Sequence, residues 1–320
     1  MTPSFVDLVD LASERLGAAV LAANDEFFAP RENLITLAPA VWREGKYTER
    51  GKWMDGWETR RRRDAGDHDW CIVRLGARGI VRGVDVDTSF FRGNFPESCA
   101  IDACDVAGVP AVDELMGAGW REIVPRSALD GDAHNLIAVE RDGPATHLRL
   151  RIFPDGGVAR LRVYGEVVAD WPRLRRQGDV DLAAVEHGAT VAACSDMFFG
   201  SRHNLIMPGD ATHMGDGWET KRRRGPGHDW TVVRLGAEGI IRRVEVDTRH
   251  FKGNAPGACS LEGSRDQHAW QELLPHTPLQ PDTRHRFEEE LMAIGDVLYV
   301  RLNIFPDGGV ARLRLFGRPK

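Results

Sequence analysis

The chain has 320 residues, 42% of them hydrophobic, enough to bury two ordinary cores. Forty-two basic residues against 48 acidic ones leave a net charge of −6, which argues against a nucleic-acid binder held by counterion release. No run reaches the ~18–20 apolar residues of a membrane span, no basic n-region opens the chain, and the five cysteines are scattered, so it reads as reduced, cytoplasmic and without a membrane partner.

In chain order, Asp10-Leu11-Ala12 opens a stretch running to Gly165 that returns from Asp181-Leu182-Ala183 to Gly317. A period of roughly 160 residues is the size of a domain, not of a solenoid repeat. Residues 10–165 and 181–317 are therefore expected to be two copies of one fold, with 166–180 as a polar, Pro/Gly-bearing linker. Asn33-Leu34-Ile35 returns as Asn204-Leu205-Ile206, Trp70 as Trp230 and Ile152 as Ile304, so the offset falls from 171 to 160 to 152. Surface loops of unequal length account for that drift.

Trp70 to Leu75 is expected to be a strand, Gly76 to Gly79 a turn and Val81 to Thr88 the returning strand, Val84 and Val86 alternating with Asp85 and Asp87. Leu148, Leu150 and Ile152 alternate with Arg149 and Arg151. After Pro154-Asp155-Gly156-Gly157, Ala159, Leu161 and Val163 alternate with Arg160, Arg162 and Tyr164, which predicts two half-buried strands joined by a hairpin. Helical periodicity is confined to Val112 to Met116 and Trp270 to Leu274. Many short strands with Gly-rich turns predict an all-β chain of two tandem β-sandwich or jelly-roll domains with few short helices.

That geometry brings two repeated polar loops to one end of each sandwich. One is Asp55 to Asp69, with Asp55-Gly56-Trp57-Glu58-Thr59 repeated at Asp216-Gly217-Trp218-Glu219-Thr220. The other is Phe91-Arg92-Gly93-Asn94, repeated at Phe251-Lys252-Gly253-Asn254. Convergent loops on a β scaffold are a usual place for a site. Trp57 and Trp218 read as packing anchors, and Gly56 and Gly93 as positions of unusual backbone angle. Asp55 and Glu58, with Asp216 and Glu219, either cap the loop or carry function.

Arg60 becomes Lys221, which lacks the planar fork, whereas Arg61 and Arg63 recur as Arg222 and Arg224 at alternate positions that share a face. They either bind an anion or hold structural ion pairs. His68 and His228, and a second pair read as matched, His134 and His285, either transfer protons near neutral pH or tether loops. No clustered Cys/His spacing, Gly-x-Ser-x-Gly elbow or phosphate-cradling loop is present. No cofactor is required on this reading and no metal ligand is assigned, a divalent ion held by carboxylates staying open. A non-catalytic module for a sugar or small anion is the competing reading. Charged residues outnumber aromatic ones in both loops, which favours the anion.

These motifs, with His68-Asp69-Trp70, Ile152-Phe153-Pro154-Asp155-Gly156-Gly157-Val158-Ala159-Arg160 and their second copies, resemble the allantoicase family. Asn24-Asp25-x-Phe27-Phe28 and Ser195-Asp196-x-Phe198-Phe199 add to the likeness, which covers nearly the whole chain except the linker. The resemblance implies a tandem galactose-binding-like jelly roll. It also implies hydrolysis of allantoate to ureidoglycolate and urea, a step of allantoin degradation. A substrate with one carboxylate and two ureido groups suits these side chains. Arg61 and Arg63, mirrored by Arg222 and Arg224, are expected on the carboxylate. Asp55, Asn94, Asp216 and Asn254 are expected on the ureido groups. Glu58 with His68, mirrored by Glu219 with His228, is the expected acid/base pair, and His134 and His285 are further candidates for proton transfer. A homo-oligomer is expected for such an enzyme. Two arrangements stay open, one site per copy or sites built jointly.

Overall fold

The computed structural model describes residues 3–320, in two compact units, Met1–Val168 and Ala169–Lys320. In the first unit the strands are β1 (Val9–Asp10), β2 (Ala19–Ala23), β3 (Tyr47–Thr48), β4 (Gly51–Lys52), β5 (Trp57–Glu58), β6 (Asp69–Asp87), β7 (Ser98–Cys104), β8 (Arg121–Ala128), β9 (His134–Ala138), β10 (Pro144–Phe153), β11 (Gly157–Val158) and β12 (Arg160–Val167). One short helix, α1 (Val112–Met116), matches the sequence expectation.

β6 belongs to both sheets of the sandwich. Its first half pairs with β2 and β10, and β7 and β8 follow beyond β10. Its second half pairs with β12 and β9, with β1 outside β12. Ile152 pairs with Asp69, and Arg160 with Asp87. The eight steps from Ile152 to Arg160 reach at most about 29 Å. A straight 19-residue strand would put its ends about 60 Å apart. The strand must therefore fold back on itself. It does so where its register against β10 jumps from Arg74 to Gly79. Gly76 sits at that corner, where a Cβ would lie 2.4 Å from that of Leu16.

The structure departs from two expectations. Gly76 to Gly79 is a corner within one continuous strand and not a hairpin turn. Pro154-Asp155-Gly156-Gly157 joins strands of opposite sheets, since β10 and β12 both pair with β6 and not with each other. Alternation reports that one face of a strand is buried; it does not name the partner strand. The inner faces carry the core, with Cys71, Val73, Leu75, Val84 and Val86 of β6 packed among Leu148, Leu150, Ile152, Leu161 and Val163. On the outer face, Ile72 is buried under Leu115 of α1 and Trp120.

The second unit begins with α2 (Trp171–Arg176), capped where the Asp170 carboxylate accepts from the Arg173 amide at 3.0 Å. Its strands are β13 (Val180–Asp181), β14 (Thr190–Cys194), β15 (Trp218–Glu219), β16 (Asp229–Asp247), β17 (Ala258–Ser264), β18 (Gln271–Pro278), β19 (Arg284–Phe287), β20 (Val297–Phe305), β21 (Gly309–Val310) and β22 (Arg312–Pro319). They repeat the topology of the first unit around the equally long β16. The helix expected over Trp270 to Leu274 is not formed. Gln271 to Leu274 lie in β18, paired with β17 through Leu274 and Leu261, because sheet pairing outweighs a weak local helix preference. Both units are jelly-roll sandwiches, and the chain is all-β apart from short helices. No helix of the described residues is long and apolar enough to cross a membrane.

The arch glycines explain the survival of the Asp-Gly-Gly motif. Gly156 has φ +139°, and a Cβ on Gly157 would stand 1.9 Å from the Phe91 ring; Gly308 (φ +132°) and Gly309 (2.0 Å from Phe251) repeat this. Gly56 and Gly93, expected to supply unusual angles, have no such φ. Gly56 is instead required by contact, since a Cβ there would meet the Val158 carbonyl at 2.5 Å.

Gly157→Ala should lower stability by about 1–3 kcal/mol or more through overpacking against Phe91. Gly93→Ala, with nothing within 4 Å of the new methyl, should leave it nearly unchanged. Urea unfolding midpoints test the contrast, and equal midpoints would refute it.

Asp10 accepts from the amides of Ala12 (3.0 Å) and Val163 (2.9 Å) through one oxygen, and burial pushes its carboxyl up to about 6. Its stabilising protonated form is complete below the ordinary value near ~4 and is lost as pH rises through the folded value. Asp10→Asn keeps the acceptor and cannot ionise. Parent stability should fall relative to this variant between about pH 4 and about pH 7. A constant gap in unfolding midpoint would count against this account.

Candidate active site

The arch between β10 and β12 gathers the two repeated loops. Gly157 pairs with Glu58, and the Gly157 amide donates to the Asn94 carbonyl at 2.7 Å. The Thr59 hydroxyl accepts from the Gly156 amide at 3.1 Å, and the Asp155 carboxylate accepts from the Arg62 amide at 2.8 Å. Residues distant in sequence are thus bolted to one turn. On its other side the Glu58 amide donates to the Ala29 carbonyl at 3.2 Å, so its backbone is held from both edges. Trp57 is fully buried and its indole N–H donates to the Asp25 carbonyl at 2.8 Å, the packing anchor expected of it; Trp218 does the same with Asp196.

Glu58 is 8% exposed. Its Oε1 accepts from Asn94 Nδ2 at 2.7 Å. Burial raises its carboxyl above the usual range, and the Asn94 bond opposes that shift only in part. A cleft of about 870 Å³ contains Glu58, Asn94, Asp155, Arg61 and Arg63. A second cavity of about 560 Å³ shares Phe28, Glu58, Gly93 and Asn94 with it and is walled by Trp42, Lys52, Met54, Phe90 and Arg92. Glu58 and Asn94 therefore stand between a basic cleft and a partly aromatic one.

The arginine run divides by alternation. Arg60 binds Asp25 at 2.6 Å, and Arg62 binds Asp69 and Asp64, both at 2.5 Å. Arg61 and Arg63 are exposed, line the cleft and make no ion pair among the described residues. The second unit repeats the division. Arg223 is tied to Asp229, Lys221 stands by Asp196, and Arg222 and Arg224 are exposed and make no ion pair among the described residues. Asn254 Nδ2 donates to Glu219 Oε1 at 2.5 Å.

Other expected residues lie elsewhere. Asp55 accepts from the nearly buried Arg160 and from the Val41 amide, both at 2.9 Å. Asp216 accepts from Arg312 and the Thr212 amide. Both carboxylates tether the chain, in keeping with the loop-capping role left open for them beside a contact with substrate. His68 bonds Asp67 at 2.6 Å and packs 5.3 Å from the Phe153 ring; it lines neither Glu58 cavity. His228 bonds Asn303 at 3.2 Å within a separate cavity of about 460 Å³, beside Glu262, Glu272 and Arg301. The acid/base pairs Glu58–His68 and Glu219–His228 are not brought together.

His134 and His285 are not equivalent positions. His134 pairs with Asp87, whose counterpart Asp247 pairs with Arg284, while His285 opposite Val246 corresponds to Asn135 opposite Val86. His134 bonds Asp85 at 2.7 Å, which raises its affinity for a proton. His285 accepts from the Gln280 amide at 2.8 Å, a loop tether like that made by Asn135 to Asp130. A strand slipped by one residue presents its other face, so the two histidines, one register step apart, hold different positions.

The allantoicase repeat family model matches residues 9–168 and 180–320.

The chain belongs to the allantoicase family.

It is 51% identical over 321 residues to a probable allantoicase 2 of Burkholderia pseudomallei, covering 97% of this chain and 94% of that one. It is 49% identical to a probable allantoicase of Pseudomonas paraeruginosa, covering 99% and 97%. The crystal structure of allantoicase from Saccharomyces cerevisiae superposes with a TM-score of 0.83 at 37% identity, covering 97% of this chain and 92% of that one.

Within this family fold, sequence reasoning missed Trp42, Lys52, Met54 and Phe90. The offset drift between the copies hinted at the first three, since it marks extra residues ahead of Asp55; Phe90 stands at a position that both copies share, filled by His250 in the second. Among the described residues, no three His, Cys, Asp or Glu side chains cluster as metal ligands.

The Asp55–Arg160 pair holds this extra segment down, because Arg160 Nε also donates to the Ala38 carbonyl at 2.9 Å. Asp55→Ala leaves a buried guanidinium uncompensated and should cost roughly 3–5 kcal/mol. It should also open residues 38–54 to protease. A loss under about 1 kcal/mol with unchanged proteolysis would show that the pair is not the anchor.

Proposed function

We propose that the hydrolysis of allantoate to ureidoglycolate and urea takes place at the Glu58–Asn94 junction, with Glu58 as the proton-transferring group. The observation that carries this reading is a buried carboxyl, bonded to Asn94, beside two cleft arginines that make no ion pair among the described residues. Arg61 and Arg63 take the substrate carboxylate by charge-assisted hydrogen bonds. Asn94 already donates to Glu58, which leaves its Oδ1 free to accept a ureido N–H.

A single carboxyl can serve both halves of the reaction. Neutral Glu58 gives its proton to the departing ureido nitrogen. The C–N bond breaks with its electron pair going to that nitrogen, and the lone pair of the remaining ureido nitrogen forms C=N. Urea leaves. The Glu58 carboxylate then takes a proton from water as the water oxygen adds to the carbon, and the C=N pair returns to nitrogen. This gives ureidoglycolate and restores the neutral acid. Burial suits both roles, because a carboxyl above its usual range keeps its proton nearer neutrality.

We further take the chain to act in the cytoplasm, where its five free cysteines stay reduced, as a homo-oligomer that binds no nucleic acid.

Because the second unit repeats the carboxyl–amide pair at Glu219 and Asn254, the test replaces both acids. Glu58→Gln with Glu219→Gln should cut kcat for urea release by roughly 10²–10⁴-fold while the thermal melt stays near parental. In the parent, kcat should decline as pH rises past the raised Glu58 value, since the proton-donating form is lost. Near-parental urea release by the double variant would refute the assignment.

A further inference from the structure

We infer that Lys52 and Trp42, carried on a connection that only the first unit has, contact the substrate, so that the two units are not equivalent sites. This rests on the reading that the chemistry occurs at Glu58. Nineteen residues (36–54) separate Ile35 from Asp55, whereas nine (207–215) separate Ile206 from Asp216. In the first unit the longer connection folds into the β3–β4 hairpin. Arg50 from its tip donates to the Phe27 carbonyl at 2.9 Å, and Gly51 lies against the Phe28 ring. Lys52 then reaches the Glu58 cavity with its ammonium 4.1 Å from the centre of the Trp42 ring, and Trp42 stands 6.2 Å from Phe90.

Phe90 is held there in a strained backbone conformation. Its φ is +70°, rare for an aromatic residue, and its amide donates to Asp132 at 2.7 Å. The second unit keeps the strained backbone but changes its use. His250 (φ +71°) occupies that position, its amide donates to Asp282 at 2.7 Å, and its Nε2 bonds the Ala211 carbonyl at 2.9 Å, tying down the short connection. With no hairpin over them, Phe198 and Phe199 are 70% and 63% exposed. Glu219 is also less buried than Glu58.

The ligand chemistry follows from the wall. Trp42 and Phe90 offer ring faces to a planar ureido group, and the Lys52 ammonium offers a donor to its carbonyl oxygen. Arg61 and Arg63, on the other side of Glu58, keep the carboxylate. Lys52 is therefore a binding residue of the first unit's site, with no counterpart in the second.

The experiment is steady-state urea release from allantoate by Lys52→Met, Lys52→Arg and the parent. Lys52→Met keeps the apolar stem of an exposed side chain, so folding is not at issue, and a thermal melt verifies this. The expected result is one saturation curve with KM raised roughly tenfold or more and kcat within about threefold, partly restored in Lys52→Arg. An unchanged KM overturns the inference. So does a biphasic curve in which half the amplitude keeps the parental KM, because an independent second-unit site would not sense Lys52. Neither outcome bears on Glu58, whose role stands or falls on the loss of kcat when the acids are replaced.

Discussion

A single strand that serves two sheets, with its ends joined by a short arch, is the constraint on which each unit is built. Ile152 lies beside Asp69, and Arg160 beside Asp87. The seven residues between them cannot span an extended β6, so the strand turns back at Gly76. Everything at the open end follows from that. The segments entering and leaving β6 are forced to the rim where the arch runs, and the arch binds both through Gly157. Its glycines are demanded by the Phe91 ring and by a left-handed backbone, which is why Asp-Gly-Gly stands in both copies.

On this scaffold charge is divided between arginines held in ion pairs and arginines that line the cleft. Arg62 and Arg160 neutralise Asp69 and Asp55 inside the structure, where an unpaired charge would be costly. Arg61 and Arg63 keep their guanidinium groups in the cleft. The same extended backbone produces both outcomes, since successive side chains point to opposite faces. Glu58 stands between the two sets. It is buried enough to hold a proton more tightly than an exposed carboxylate and is oriented by Asn94.

The sequence made the tandem sandwich, the convergence of the two loops, the packing role of Trp57 and the family legible. Each of these depends on local alternation or on a motif that appears twice. It misled over His134 and His285, because a strand's meaning changes with one residue of register. It left Asp55 open between capping and function, because its partner Arg160 lies 105 residues away and is brought near only by the arch. Trp42 and Lys52 could not be read as neighbours of Glu58 at all, because they sit in a segment absent from the second copy and repetition was the guide.

Composition, repetition and alternation therefore determined the fold class, the two-copy organisation and which polar residues stand in both copies. Tertiary structure alone decided which of those residues meet, which are bound into ion pairs, and which unit carries the extra wall. The physical reason is that burial and alternation are properties of a segment and its own neighbours. A site is a set of distances between segments, and here those distances are set by how one strand bends.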